Sequence, residues 1–135
     1  MRQGEFTGFT VTLREPGIAW IQFNTPDRLN GFTHGIKRDL IETINQAQMD
    51  NAVRVLVLTG SGRAFCAGDD ISGQNKDIPG QALMPPIPRG HDNEIGTYEG
   101  LRHLSQTLNL ALRNCDKIAI AAINGLAIQT GMTMA

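Results

Sequence analysis

Apolar and polar residues alternate from Phe9 to Arg14, with Phe9, Val11 and Leu13 set against Thr10, Thr12 and Arg14. A period of two predicts a strand with one buried face. Ile18 to Phe23 predicts a second strand with Ile21 and Phe23 on one face. The intervening Glu15-Pro16-Gly17 is a turn, so the pair reads as a hairpin. After the loop Asn24–Phe32, broken by Pro26 and Gly31, the period changes to three and four. Ile36, Leu40, Ile44 and Ala47 mark the buried face of a helix that Thr33 caps and that runs to about Asp50. Val53 to Thr59 is a short continuous apolar run, the pattern of a strand buried on both faces.

The second half is less regular. Ser72 to Asp92 holds Pro79, Pro85, Pro86 and Pro88, and predicts a mobile, substrate-side or partly disordered loop. Asn93 or Asp92 caps a long helix to about Cys115, with Ile95, Tyr98, Leu101, Leu104, Leu108, Ala111 and Leu112 at helical spacing. Tyr98 reads as core. Lys117 to Ile123 predicts a third buried strand. Gly125 breaks it, and Ile128 to Ala135 begins another helix. The order is β-β-α-β with a strand-loop-helix unit near Val53 and again near Ile118, an α/β pattern within the length of one domain.

Composition removes several function classes. A formal net charge of −1 over 135 residues, without like-charge runs, argues against nucleic acid or an anionic membrane as partner. No apolar stretch reaches the ~18 residues of a membrane span. Met1 to Phe6 lacks the apolar segment of a signal peptide, and Cys66 and Cys115 sit in no metal-binding spacing. Reduced thiols and a cytoplasmic location are the expectation. Neither glycine-containing loop carries G-x-G-x-x-G or a phosphate-loop lysine, which disfavours a nucleotide site.

The candidate chemistry lies in two loops, "TGSGRAFCAGDDI" and "INGLAIQTGM", each at the end of an apolar strand. Ligands gather at the carboxyl ends of strands in such units. One backbone N–H from each loop, with the positive end of a helix starting near Thr130, forms an oxyanion hole, which stabilises negative charge developing on a carbonyl. Cys66 reads as a packed thiol, with no base adjacent in sequence. Asp70 reads as a fastener of loop N–H groups. The Asp69 side chain is either solvated at the edge of the site or a substrate-specific acid. His103 falls on a polar helix face. His91, Glu94 and Glu99 are spare candidates for a substrate role.

Three segments carry a family resemblance. "RAFCAGDDI" resembles the A-F-x-A-G-x-D-[IL] signature of the crotonase (enoyl-CoA hydratase/isomerase) superfamily. "IAIAAINGLAIQTGMTMA" is similar to its second signature, P-V-I-A-A-[IV]-x-G-x-A-x-G-G-G-x-x-L-A. "IAWIQFNTPDRLNGFT" resembles its strand followed by N-x-P-x-x-x-N-A-[LF]. The resemblance implies an α/β fold of the ClpP/crotonase type, a spiral of ββα repeats, of which residues 1–135 are the N-terminal part. It implies an acyl-coenzyme A thioester as substrate in fatty acid metabolism, with hydratase (lyase) or isomerase chemistry through a thioester enolate. No permanently bound cofactor and no metal are implied. A homo-oligomer, trimer or hexamer, is implied for the full-length protein.

Carried over residue by residue, the oxyanion donors are the backbone N–H groups of Asp69 and Thr130. Arg28, Leu29 and Gly31 contribute to the substrate groove from the first loop, with Arg28 able to face phosphate. Ala67, Gly68, Asp69, Asp70 and Ile71 contribute from the second, and Gln129 and Thr130 from the third. Two departures stand out. Gln129-Thr130-Gly131 replaces the glycine run, and Thr133 stands where hydratases carry a glutamate. A threonine hydroxyl is too weak a base to activate water, so the motifs favour enolate stabilisation over hydration. The chain reads as truncated, with apolar faces left uncovered, and as incomplete for hydration. The alternative is a non-catalytic crotonase-like protein that binds acyl-CoA or serves in assembly.

Overall fold

The computed structural model describes residues 1–71, 80–86 and 93–135. Three antiparallel strands open the fold: β1 (Gly4–Phe6), β2 (Phe9–Arg14) and β3 (Ile18–Phe23). Phe9 and Val11 on β2 and Ala19, Ile21 and Phe23 on β3 are buried, as the alternation requires. Two parallel strands extend the sheet, β4 (Val55–Gly60) beside β3 and β6 (Ile118–Ala122) beside β4. The spatial order is β1-β2-β3-β4-β6.

Helix α1 (His34–Met49) crosses from β3 to β4. The Thr33 hydroxyl accepts the Ile36 N–H at 3.3 Å, satisfying one of the orphan donors of its first turn. Ile36, Leu40, Ile44 and Ala47 pack into the core with Leu56, Leu58 and Leu108. The long second helix is present with an interruption. It runs as α2 (Glu94–Gly100), a π-helical segment Leu101–Gln106, and α3 (Thr107–Arg113). Asn93 caps it, its side chain accepting the Gly96 N–H at 2.8 Å. α4 (Thr130–Met134) starts where the sequence predicts a helix.

Short pieces escaped the sequence reading. β1 has three residues, and β5 (Ala64–Cys66) and β7 (Leu126–Ala127) form a separate two-stranded parallel sheet. This small sheet places the loop after β5 beside the loop after β7. Beneath it, Phe23 receives Phe32 and Phe65 edge-on, with ring centroids 4.9 and 5.4 Å away. Each such pair contributes about 1 kcal/mol beyond its buried area, so β5 and the Phe32 end of the loop after β3 are pinned to β3.

Two expectations are corrected. The strand near Lys117 was predicted to be buried, yet Ile118 is 65% and Ile120 47% exposed. β6 is an edge strand: β4 pairs with it on one side, and no described residue forms a strand on the other. Tyr98 was predicted in the core but lies on the outer face of α2, where its hydroxyl accepts Arg102 Nη1 at 2.7 Å. Exposed Ile95, Leu101, Leu126 and Ile128 extend the uncovered apolar surface that the sequence predicted. His91 and most of the proline-rich stretch lie outside the described residues.

Candidate functional site

Three loops meet at the ends of β3, β5 and β7. The first is a 3-10 turn, Pro26–Arg28, followed by Leu29 and Asn30 at φ 52° and 55°. Asparagine tolerates this left-handed conformation better than most residues. Asn30 is fully buried and spans the site. Its Oδ1 accepts the Thr25 N–H at 2.9 Å, and its Nδ2 donates to the carbonyls of Ser61 and Ala64 at 2.9 and 2.8 Å.

The loop after β5 runs parallel to the first. Ala67 N–H donates to Leu29 O at 3.0 Å, Phe32 N–H to Gly68 O at 2.8 Å, and Asp70 N–H to Phe32 O at 2.9 Å. Arg28 Nη1 donates to Asp70 Oδ2 at 2.7 Å, so side chains join these loops as well. Gly68 turns the chain at φ 99°, and a Cβ there would lie 2.5 Å from Gln129 Oε1. Glycine is required both for the backbone angle and for the close approach of the third loop.

The third loop is anchored by Asn124, whose Oδ1 accepts the Gly60 N–H at 2.9 Å and whose Nδ2 donates to Gly62 O at 2.9 Å. Ile128 N–H donates to Cys66 O at 3.0 Å. Gly131 abuts that same carbonyl so closely that a Cβ would collide with it. Gln129 sits at φ 51°, ψ −115°, unusual backbone for a residue with a side chain.

Asp69 is where the loops converge. Its N–H donates to Gln129 Oε1 at 3.1 Å, and its Oδ1 accepts the Thr130 hydroxyl at 2.9 Å. The carboxylate is neither simply solvated nor free. Lys37 Nζ, on α1, lies 2.8 Å from the same Oδ1 and donates to Ser105 Oγ at 2.7 Å. The Thr130 N–H finds no acceptor among the described residues.

Of the residues predicted to bind substrate, Arg28, Gly31, Ala67, Asp69, Asp70, Ile71 and Gln129 line one cleft of about 510 Å3. Leu29, Gly68 and Thr130 belong to the same three loops but do not line the cleft: Leu29 is half-buried, and Gly68 and Thr130 are buried. Ile71 is exposed at its mouth. A separate, wider hollow is lined by Met1, Arg2, Gln46, Met49, Asp50 and Asn51, away from these loops.

Electrostatics follow burial. Cys66 is buried beside Gly68, and desolvation pushes its thiol up to about 11, with a smaller push from Asp69. It is packing, as expected, and no nucleophile. His34 reaches solvent on the first turn of α1, but desolvation of its ring lowers its pKa. Lys37 lowers it further, and Asp69 opposes. His103 is exposed, as predicted, and so is Glu94. Among the described residues no group of three or more His, Cys, Asp or Glu is placed to hold a metal ion.

Lys37, Asn30, Ser105 and Asn124 were not singled out from the sequence. Two carried a signal: Lys37 is a charge at helical spacing with Leu40, Ile44 and Ala47, and Asn30 is the second asparagine of the N-x-P-x-x-x-N motif.

The enoyl-CoA hydratase/isomerase family profile matches residues 14–86, more than half the chain. A 1,2-epoxyphenylacetyl-CoA isomerase of Escherichia coli is 32% identical over 127 residues, covering 94% of this chain and 44% of that protein. A probable enoyl-CoA hydratase of Mycobacterium leprae is 34% identical over 122 residues, covering 89% and 38%. The crystal structure of a probable enoyl-CoA hydratase/isomerase from Mycobacterium abscessus superposes with a TM-score of 0.76 at 29% identity, covering 96% of this chain and 44% of that one. That of an enoyl-CoA hydratase from Bacillus anthracis gives 0.76 at 24%, covering 94% and 43%, and speaks to the fold alone. The chain spans less than half the length of these relatives. Sequence profile and fold agree: this chain belongs to the enoyl-CoA hydratase/isomerase family, and its fold is crotonase-like.

Proposed function

We propose that the three-loop cleft binds an acyl-coenzyme A thioester and that the backbone N–H groups of Asp69 and Thr130 stabilise the enolate formed from it. One observation carries this reading: the Asp69 N–H already holds a carbonyl oxygen, Gln129 Oε1, inside the cleft. A thioester oxygen has the same acceptor chemistry. In the proposed step a base removes the α-proton, the C–H electron pair forms the C=C bond, and the carbonyl π pair moves onto oxygen. The two amides then face an oxyanion rather than a neutral carbonyl, and the gain appears in the transition state.

Arg28, Gly31, Ala67, Asp70 and Ile71 form the walls along which the coenzyme lies, backed by Leu29 and Gly68, with Arg28 at its charged end. Thr133 is on α4, its hydroxyl donating to Gln129 O at 3.1 Å, and supplies no carboxylate. The chemistry favoured is therefore isomerisation or another enolate-forming reaction whose base comes from elsewhere. A homo-oligomer, as expected of full-length family members, a cytoplasmic location and no permanently bound cofactor go with this reading.

A second reading, acyl-CoA binding without turnover, is favoured by the same Gln129 contact, which occupies one donor. Calorimetric titration with coenzyme A and with acetyl-CoA, followed by exchange of the acyl α-protons in deuterated water, separates the two. Binding with exchange supports the enzyme, binding without exchange the binding protein. Absence of binding by both ligands overturns both readings.

A further inference from the structure

An oxyanion site should not carry a carboxylate on the residue that supplies one of its amides. Asp69 does, and the carboxylate is only 28% exposed. The remedy lies outside the cleft. Lys37 is 2% exposed, lines no part of the cleft, and places Nζ 2.8 Å from Asp69 Oδ1. The same ammonium is held at 2.7 Å by Ser105, in the π-helical segment between α2 and α3. The Thr130 hydroxyl completes the cluster, 2.9 Å from that carboxylate oxygen. One carboxylate thus gathers α1, the segment before α3, the loop after β5 and the first residue of α4.

We propose that Lys37 is a positioning residue for the oxyanion site: it cancels the Asp69 charge and, through Asp69, fixes Thr130 and hence the second amide. The proposal rests on the oxyanion reading above. Its physical content is twofold. A bare carboxylate beside a developing enolate opposes it, strongly so where solvent is scarce. A hydroxyl held by that carboxylate fixes the backbone of Thr130, which has replaced the glycine usual in the family. Lys37 touches no substrate and acts only through Asp69.

The test uses acetoacetyl-CoA, whose enolate absorbs in the near ultraviolet, and measures the enolate fraction of the bound ligand at one pH. Coenzyme A, which has no thioester oxygen, serves as the control ligand. The wild-type protein is expected to raise the enolate fraction above that of free ligand. Lys37→Met should lower the enolisation constant of the bound ligand about tenfold, one unit of apparent pKa. Coenzyme A affinity should stay within about twofold. Lys37→Met/Asp69→Asn removes the bare charge, keeps the Asp69 amide and a side-chain acceptor for Thr130, and should recover most of the loss. A merely structural role would instead lower coenzyme A affinity together with the enolate fraction, which the control ligand reads. Should Lys37→Met fail to fold by circular dichroism, Asp69→Asn alone decides: an enolate fraction at or above wild type supports the proposal, a tenfold fall overturns it. A folded Lys37→Met with an unchanged enolate fraction overturns it too, as does a double variant no better than the single. If the wild type itself gives no enolate gain, the oxyanion reading falls and this proposal with it.

Discussion

Lys37 Nζ and Asp69 Oδ1 lie 2.8 Å apart, the lysine almost wholly buried, and this pair joins the first helix to the loop that closes the cleft. Removing one member of a buried pair leaves an uncompensated charge, whereas removing both does not. Lys37→Met should cost about 3 kcal/mol of stability, and Lys37→Met/Asp69→Asn measurably less. Urea unfolding of both variants checks this. Equal losses would show that the lysine stem, rather than its charge, carries the effect.

Gln129 Oε1 accepts the Asp69 N–H that the proposed thioester oxygen would need, and Gln129 holds strained backbone. Gln129→Gly should tighten acetoacetyl-CoA binding about fivefold, the net worth of one hydrogen bond. Relief of the backbone should add about 1 kcal/mol of stability. Calorimetry and thermal unfolding read the two effects separately, and weaker binding would mean that Gln129 contributes to the site instead of blocking it.

Asn30 makes three hydrogen bonds from a fully buried side chain and adopts a left-handed backbone. Asn30→Ala removes the acceptor of the Thr25 amide and the donor to the Ser61 carbonyl, leaves the Ala64 carbonyl only Asn124 Nδ2 at 3.2 Å, and strains the backbone. The expected loss is about 3 kcal/mol. Asn30→Asp keeps the acceptor for Thr25 but buries a carboxylate against the Ser61 and Ala64 carbonyl oxygens, and should lose at least as much as Asn30→Ala. Chemical denaturation with both variants provides the comparison.

Two groups set opposite pH edges. The folded Cys66 thiol titrates at about 11 against an ordinary 9.0, so the unfolded chain loses its proton first. Its contribution to stability is complete below pH 9 and declines as pH rises toward 11. His34 has a lowered folded pKa, so its contribution is present above 6.5 and is lost as pH falls through its folded value. Lys37→Met should move the His34 titration upward, because a lowering charge disappears and Asp69 remains. Proton NMR of the imidazole follows this directly. Iodoacetamide at neutral pH should label Cys66 only after unfolding.

Much of this fold is legible in the sequence where a pattern repeats. The hairpin, α1 with its Thr33 cap, β4 and the long helix all follow from periods of two or 3.6 sustained over several residues. β5 and β7 are too short to show a period, and only their parallel pairing reveals how the two glycine loops meet. The burial of β6 was misjudged because an apolar strand reads the same whether or not a neighbour covers it. The motif singles out Asp69 and Thr130, but their shared hydrogen bond, and Lys37 behind it, depend on contacts between residues sixty-one and thirty-two positions apart. No local pattern encodes such contacts. Asn124 is likewise an ordinary loop asparagine until the carbonyls it holds are known, and Asn30 stands in a quoted motif that does not show which carbonyls it holds.

The central claim is that the Asp69 and Thr130 amides hold a thioester oxygen, and amide NMR of the uniformly 15N-labelled protein tests it most directly. Titration with acetoacetyl-CoA should move the Asp69 and Thr130 N–H resonances downfield in a saturable manner, while coenzyme A alone shifts only the walls around Arg28 and Ile71. Saturable acetoacetyl-CoA binding that leaves both amides unmoved would contradict it.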